Sequence, residues 1–409
     1  MRYLFVHQNF PGQYRHVVRR LGETPGNQVV FLTQRNDEVR LPGVRKIVYK
    51  TARSVRPNVH RYLHDAEMGV LNAQAVARAA QDLKRSGFTP DVMVGHNGWG
   101  EIWYLKDIFP NTPLLGYFEY FFRMEGGDVS FDPDEPLNLD SGPRIRTRNM
   151  GNLLGLDVVD LGQCPTKWQR SRYPTIYHPM LRVSHEGVDT RVARPDATAS
   201  LVMPDGTKLK HGDEVVTYVA RNLEPYRGFP TFMRALPEIL TERPNARVVI
   251  VGGNQTSYGP GLPNRKTYRQ QMIEELGDAL DLSRIHFLGR VPYDIYMRVL
   301  QVSHVHVYLS YPFVLSWSAL EAMATGCLLV ASRTAPVEEV VRDGENGLMV
   351  DFFSPGEVAG KVVAVLSDPQ AYSALRANAR RTVVQRYDLE SICLPGQLAM
   401  LREVAASAY

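Results

Sequence analysis

The stretch Ser310-Tyr-Pro-Phe-Val-Leu-Ser-Trp-Ser-Ala-Leu-Glu-Ala-Met-Ala-Thr-Gly-Cys327, running on through Leu-Leu-Val-Ala to Ser332, decides the architecture. Ahead of it Val305, Val307 and Leu309 alternate with polar or amphipathic neighbours and stop at Ser310-Tyr311-Pro312, the pattern of a strand entering a turn. Beyond the turn, Ala319, Leu320, Ala322 and Met323 recur at helical spacing between Ser316 and Thr325. Ser316 or Ser318 is placed to cap the first turn of this helix and Gly326 to stop the last. Glu321 therefore lies inside a helix among Ala, Leu and Met, where a carboxylate is costly unless something hydrogen-bonds to it; a ligand hydroxyl would serve. The free main-chain N–H groups at the helix N-terminus, near Val314, Leu315 and Ser316, suit an anion such as a diphosphate.

Working outward, Leu320-Glu321-Ala322-Met323-Ala324-x-Gly326 is followed by Ala335-Pro336-x-Glu338-Glu339-Val340-Val341-x-Asp343-Gly344-x-Asn346-Gly347-Leu348-Met349-Val350. This run resembles the donor half of retaining glycosyltransferases of family 4. The resemblance is close over 213–400 and looser over 1–190. It implies an α/β chain of GT-B fold, two Rossmann-like domains facing an inter-domain cleft. The family's motif has two glutamates eight positions apart. Glu321 matches the second, where it would accept bonds from the nucleotide ribose, but Phe313 stands at the first, where the family's Glu usually binds the hydroxyls of the donor sugar.

A length of 409 residues exceeds one ordinary core and suggests two. Hydrophobic residues at 44% and charged ones at 22% are ordinary for a globular chain, and no apolar run is long enough to span a bilayer. The opening Met1-Arg-Tyr-Leu-Phe-Val-His7 reads as a strand rather than a signal peptide, so a cytoplasmic protein is expected. Cys164, Cys327 and Cys393 are odd in number and widely spaced, which favours reduced structural thiols. Residues 1–189 hold 24 Lys and Arg against 20 Asp and Glu, and the remainder 23 against 23, so the whole net charge of +4 belongs to the first half. That excess permits an anionic acceptor or peripheral contact with the inner face of a membrane, yet it is far below that of a nucleic-acid binder, and nucleic acid is not expected as a partner.

Along the chain, 1–190 reads as an N-terminal, acceptor-side Rossmann-like domain. Its first strand ends at Gln8, and Pro11-Gly12-Gln13 matches the family's first loop, whose backbone approaches the donor phosphate. His96, at the C-terminal end of the strand starting at Pro90, matches a family histidine that faces the sugar and phosphates and is the catalytic candidate; Glu119, at the exit of the next strand, is the acceptor-side candidate. From Arg123 to Arg148 the pattern breaks into Gly, Pro and charge, a long loop. Asp132-Pro-Asp134 resembles an acidic metal-binding triplet, but a solvated loop is expected and no metal is predicted; His304 and His306 read as packed strand histidines.

Residues 191–214 suit a linker with a small hairpin, 215–386 a C-terminal nucleotide-sugar donor domain, and 387–409 a helix returning toward the first domain. In the family an Arg closes the first strand of the donor domain and a Lys-Gly follows, both cations gripping the donor diphosphate. Arg221 matches the first and Arg227 replaces the Lys; a guanidinium can bind phosphate oxygens with two parallel bonds. Gly253 ends a strand in a glycine turn, and backbone groups near Val291 match the family's base-reading turn.

The expectation is a metal-independent, retaining glycosyltransferase, hexosyl or pentosyl, that needs no cofactor. It would move a sugar from a nucleoside-diphosphate sugar to a glycan, lipid-linked or small-molecule acceptor. Phe313 leaves a non-catalytic sugar-nucleotide sensor or assembly partner open, and a GT-B epimerase or phosphorylase is a further alternative.

Overall fold

The strands of this protein are short, near-continuous apolar runs, such as Leu4-Phe-Val6, Val29-Val-Phe-Leu32 and Val248-Val-Ile-Val251, all buried. Runs without alternation belong to parallel strands covered on both faces. In the computed structural model, which describes residues 1–406, they form two parallel sheets. The first comprises β1 (Arg2–Val6), β2 (Gln28–Thr33), β3 (Val44–Val48), β4 (Val92–His96), β5 (Leu114–Tyr117), β6 (Leu161–Cys164) and β7 (Leu181–Val183), in the order β3, β2, β1, β4, β5, β6, β7. A short antiparallel hairpin, β8 (Ser200–Val202) and β9 (Lys208–Lys210), precedes the second sheet. That sheet comprises β10 (Val215–Asn222), β11 (Arg247–Gly253), β12 (Ile285–Gly289), β13 (Val305–Tyr308), β14 (Leu328–Ser332) and β15 (Leu348–Val350), in the order β12, β11, β10, β13, β14, β15.

Both sheets are doubly wound, and in each the chain reverses direction across the sheet beside its first strand. The switch lies between β1 and β4 in one and between β10 and β13 in the other. Ligands of such sheets bind outside the carboxyl ends of the strands at that switch. The residues following β1, β4, β10 and β13 are therefore the ones to inspect.

The chain divides into two compact units, Met1–Gly187 with Glu390–Tyr409, and Val188–Leu389. The segment 191–214, expected as a linker with a small hairpin, carries that hairpin and lies inside the second unit. Leu201, Met203 and Leu209 of its hairpin are buried with Val215, Val249, Val251 and Val299, because every second hairpin residue is apolar and meets an open flank of that core. The returning segment is a one-turn π-helix, Leu389–Cys393, followed by the helix Leu394–Ala406. It is tied to the first unit by ion pairs Arg20–Glu390 (2.7 Å) and Arg182–Glu403 (2.8 Å) and by the Gln397 side chain, which donates to the His185 carbonyl at 3.0 Å.

The expected loop from Arg123 to Arg148 carries a helix, Ser141–Arg148, which the charged run Arg144, Arg146, Arg148 concealed from a periodicity reading. Its Ile145 is buried, and the Arg148 guanidinium lies 3.9 Å from the centre of the Phe122 ring. All three cysteines are buried. His306 is buried with Nδ1 at 2.8 Å from the Thr217 hydroxyl, a packed strand histidine. Among the described residues no helix is long and apolar enough to cross a membrane.

Candidate functional site

In the second unit the sequence-predicted residues gather at the switch between β10 and β13. β10 ends with Arg221, exposed, and Asn222, buried. The chain turns through Pro225–Arg227, passes Gly228 at φ 67°, and enters the helix Phe229–Glu242. Gly228 is obligatory on two counts: the left-handed φ, and a Cβ that would lie 2.3 Å from that of Leu309.

This close approach of the β10 turn to the end of β13 carries Arg227 inward, to 8% exposure. Its Nη1 donates to the Ser310 hydroxyl (2.8 Å), to the Val314 carbonyl (3.0 Å) and to the Tyr308 hydroxyl (3.3 Å). Burial opposes its charge, but the surrounding phenols of Tyr308, Tyr258 and Tyr218 outweigh that and hold the pKa above the ordinary arginine value. Arg227 forms no ion pair among the described residues. A buried cation held by neutral groups alone is the arrangement that an incoming anion stabilises.

Ser310 is itself fixed. Its N–H donates to the Ser332 hydroxyl at 3.0 Å, and its carbonyl accepts from the hydroxyls of Ser332 and Thr334, both at 3.1 Å. The turn then reaches Ser316, which caps the helix Trp317–Ala324 by accepting from the Ser318 N–H. Of the main-chain donors expected to face an anion, that of Ser316 is already given to the Tyr308 hydroxyl at 2.8 Å. This corrects the sequence reading for Ser316, which serves as cap and anchor; Val314 and Leu315 remain the candidate main-chain donors of the turn. The cause is Tyr308 at the end of β13, whose hydroxyl stands between Arg227 and the turn.

Glu321, one helical turn on, is half-buried and accepts from the hydroxyls of Tyr293 (2.8 Å) and Tyr296 (2.7 Å). Both phenols stand on one helix, Tyr293–Val302, at i and i+3, which puts them on one face. Gly253 closes β11 where a Cβ would meet the Asn222 side chain at 2.5 Å and Arg290 at 2.8 Å. Val291 packs under the β8–β9 hairpin, leaving its main chain as the polar part it offers.

Sequence reasoning missed Glu224. Its carboxylate is fully buried and accepts the main-chain N–H groups of Ser257 (3.1 and 3.0 Å), Tyr258 (3.0 Å) and Gly259 (3.3 Å). A carboxylate three residues before Arg227 thus pins the loop after β11 and holds the Tyr258 ring 5.5 Å from the Arg227 guanidinium.

The remaining predicted residues lie in the first unit, around the switch between β1 and β4. His7 and His96 follow the same local rule. Each Nδ1 accepts the N–H two residues on, from Asn9 at 2.7 Å and Gly98 at 2.9 Å, which assigns the proton of the neutral ring to Nε2. The rings meet edge to face at 5.0 Å, and His96 also packs against Trp99 and Tyr117. Burial drives the His7 pKa down to about 4, against the opposing influence of the nearby Gln13 side chain. His96 is held well below its usual value, by burial first and the His7 charge second.

Neither Nε2 has a hydrogen-bond partner among the described residues. His96 Nε2 lies 3.8 Å from a Glu119 carboxylate oxygen, and Glu119 is about one-third exposed. Gly12, at φ 55°, sits over the His7 ring, where a Cβ would be 3.3 Å from it. Gln13 lines a cavity of about 10 Å³ with Tyr14, Tyr117 and Glu186, room for one water and too small for a sugar. Behind these lies Glu101, wholly buried, its carboxyl pushed up to about 7 by burial although the Tyr49 hydroxyl donates to it at 2.8 Å.

Asp132 and Asp134 lie in a turn in which the Asp132 carboxylate accepts the Asp134 N–H at 3.0 Å. Among the described residues no group of three His, Cys, Asp or Glu side chains is arranged to hold a metal ion. Several basic residues of the first half are paired locally: Arg19 with Glu23, Arg35 and Lys46 with Asp37, and Arg53 with Glu67.

Two doubly wound units, one presenting an uncompensated guanidinium and helix-terminal amides at its switch, define a GT-B architecture. Comparison with solved structures agrees. Anabaena HepE in complex with UDP superposes with a TM-score of 0.66 at 15% identity, covering 98% of this chain and 100% of that one. Sucrose-phosphate synthase from Thermosynechococcus elongatus gives 0.71 at 19% identity over 100% of both chains.

The sequence model described as the glycosyl transferase family 4 group matches residues 25–193, and that described as glycosyl transferases group 1 matches residues 203–382. The chain belongs to the GT-B glycosyltransferases, the first model covering most of its first unit and the second most of its second. Curated relatives include the D-inositol 3-phosphate glycosyltransferase of Corynebacterium efficiens, 33% identical over 38% of this chain and 35% of that protein. Another is the GDP-mannose-dependent alpha-(1-6)-phosphatidylinositol monomannoside mannosyltransferase of Mycolicibacterium smegmatis, 27% identical over 60% of this chain and 61% of that protein. The chain thus spans between 35% and 61% of the length of these two relatives.

Proposed function

We propose that this protein transfers a sugar from a nucleoside-diphosphate sugar to an acceptor hydroxyl, with retention of configuration and without a metal ion. The observation that carries the reading is Arg227, buried, charged and without an ion pair among the described residues, beneath the turn that offers the Val314 and Leu315 amides. A diphosphate placed there gains charge-assisted bonds from Arg227, Arg221 and the two amides. These bonds strengthen as the glycosidic bond opens and negative charge builds on the leaving group, the work a divalent cation does in other folds. Glu321, oriented by two phenols, is set to accept from the ribose hydroxyls.

In the first unit, His96 at a strand end and Glu119 beside it are the polar groups this unit offers to a sugar or acceptor hydroxyl. Because burial keeps His96 neutral with its proton on Nε2, it acts as a hydrogen-bond donor and not as a cation. The names of the two relatives give inositol 3-phosphate and phosphatidylinositol monomannoside, which supports a polyol or lipid-linked glycan acceptor for the hexosyl or pentosyl group transferred here. Calorimetric titration with UDP and GDP, followed by release of the nucleoside diphosphate from the matching sugar nucleotides in the presence of inositol phosphates, tests the proposal. Absence of binding by either diphosphate would overturn it.

A further inference from the structure

Arg227 lies at one side of a continuous run of six aromatic rings. Tyr258 is tilted at 58° against Phe313 with centres 5.0 Å apart, and Phe313 meets Tyr226 edge to face at 5.8 Å. Tyr226 stacks on Tyr311 at 4.6 Å, Tyr311 meets Phe352 at 5.0 Å, and Phe352 meets Phe353 at 4.9 Å. The middle of the run, Tyr311 and Phe352, is core. The Tyr258 end is not: Tyr258 is 37% exposed and Phe313 half-buried. Packing alone does not account for this end, since Glu224 commits a fully buried carboxylate and four hydrogen-bond contacts to fixing the backbone that carries an exposed ring.

Resting on the donor reading above, we propose that Phe313 and Tyr258 form the wall against which the donor sugar lies, and that this wall selects a sugar with carbon-bound hydrogen where a common hexose presents a hydroxyl, a 6-deoxyhexose or a pentose. The sugar is one bond from the diphosphate that Arg227 calls for, and the Tyr258 ring lies 5.5 Å from that guanidinium, so the wall is within the sugar's reach. Phe313 has no atom that can bond a hydroxyl, and the ring faces of Phe313 and Tyr258 are apolar. A hydroxyl pressed on them loses water without a partner, whereas a methyl group or ring hydrogen loses nothing.

The test compares binding within matched pairs, GDP-mannose with GDP-rhamnose and UDP-glucose with UDP-xylose, alongside free GDP and UDP, by calorimetry. Wild type should bind the member lacking the hydroxyl about 10- to 100-fold more tightly in the pair whose nucleotide it accepts. Phe313→Gln, which adds hydrogen-bonding groups without charge, should bring the ratio to one or reverse it while the affinity for the free diphosphate stays the same. Tyr258→Ala, on an exposed loop and therefore foldable, should bring the ratio toward one. A wild type that prefers the hydroxylated member, or a ratio that neither variant moves, overturns the inference while leaving the donor site standing. Failure of free GDP and UDP to bind wild type overturns the donor reading and this inference with it.

Discussion

The Arg227 side chain donates to the Val314 carbonyl across 3.0 Å, which joins the loop after β10 to the turn after β13 through one guanidinium. Removing Arg227 and removing Arg221 therefore have different signatures. Arg221→Ala deletes an exposed cation, and nucleoside-diphosphate affinity should fall about tenfold with the melting temperature unchanged. Arg227→Ala should lose affinity to at least that degree. It should also lose stability, by about 1–3 kcal/mol, because the Ser310 hydroxyl and the Val314 carbonyl lose their charged donor, while the Tyr308 hydroxyl keeps the Ser316 amide. Calorimetry with UDP or GDP, together with thermal denaturation, separates the two; identical signatures would contradict the geometry.

The two phenols on Glu321 give a prediction about the nucleotide's ribose. Tyr296→Phe removes one hydrogen bond that orients the Glu321 carboxylate and should weaken nucleoside-diphosphate binding by about fivefold, as one hydrogen bond of about 1 kcal/mol would. Glu321→Gln should lower the preference for UDP or GDP over the 2′-deoxy form. An undiminished preference would remove Glu321 from the ribose.

Chelation addresses the cation directly. Arg221, Arg227 and two amides are assigned the charge of the leaving group, so release of nucleoside diphosphate should continue in excess EDTA. Loss of turnover that manganese or magnesium restores would return Asp132 and Asp134 to consideration.

The buried carboxyl of Glu101 gives a pH dependence whose sign is fixed. Its folded pKa of about 7 stands above the ordinary 4.5, so the folded chain holds the proton more tightly than the unfolded one. The protonated form's contribution is complete below about pH 4.5 and is lost as pH rises to about 7, a change on the order of 3 kcal/mol. Glu101→Gln keeps an oxygen for the Tyr49 hydroxyl and carries no charge. Its stability relative to wild type should therefore rise between pH 5 and pH 8 in denaturant titrations, and a flat difference would show that Glu101 titrates normally.

How much of this was readable beforehand follows the range of the interactions. The helix expected from Ser316 to Thr325 is Trp317–Ala324, because caps and apolar spacing are local signals. Arg221, Arg227 and Glu321 were legible as chemistry through the resemblance around them. What held them was not. Glu224 grips amides more than thirty residues away, and Tyr308 takes the Ser316 amide through the path of an irregular turn that no periodicity specifies. Tyr293 and Tyr296 carried a spacing signal, one face of one helix, but nothing in the sequence points that face at Glu321. The small hairpin expected inside 191–214 is present as β8 and β9, but its place in the second unit's core rests on three buried apolar residues among conspicuous Pro and Gly, a weak signal.

The first unit is discontinuous in the chain, built from Met1–Gly187 and completed by Glu390 onward. During synthesis its seven strands leave the ribosome early, but the helix that buries Met400, Leu401 and Val404 emerges only after the whole second unit. Domains ordinarily finish in the order they are translated. Here the second unit has all its residues first, and the early half waits, its flank uncovered, for the tail.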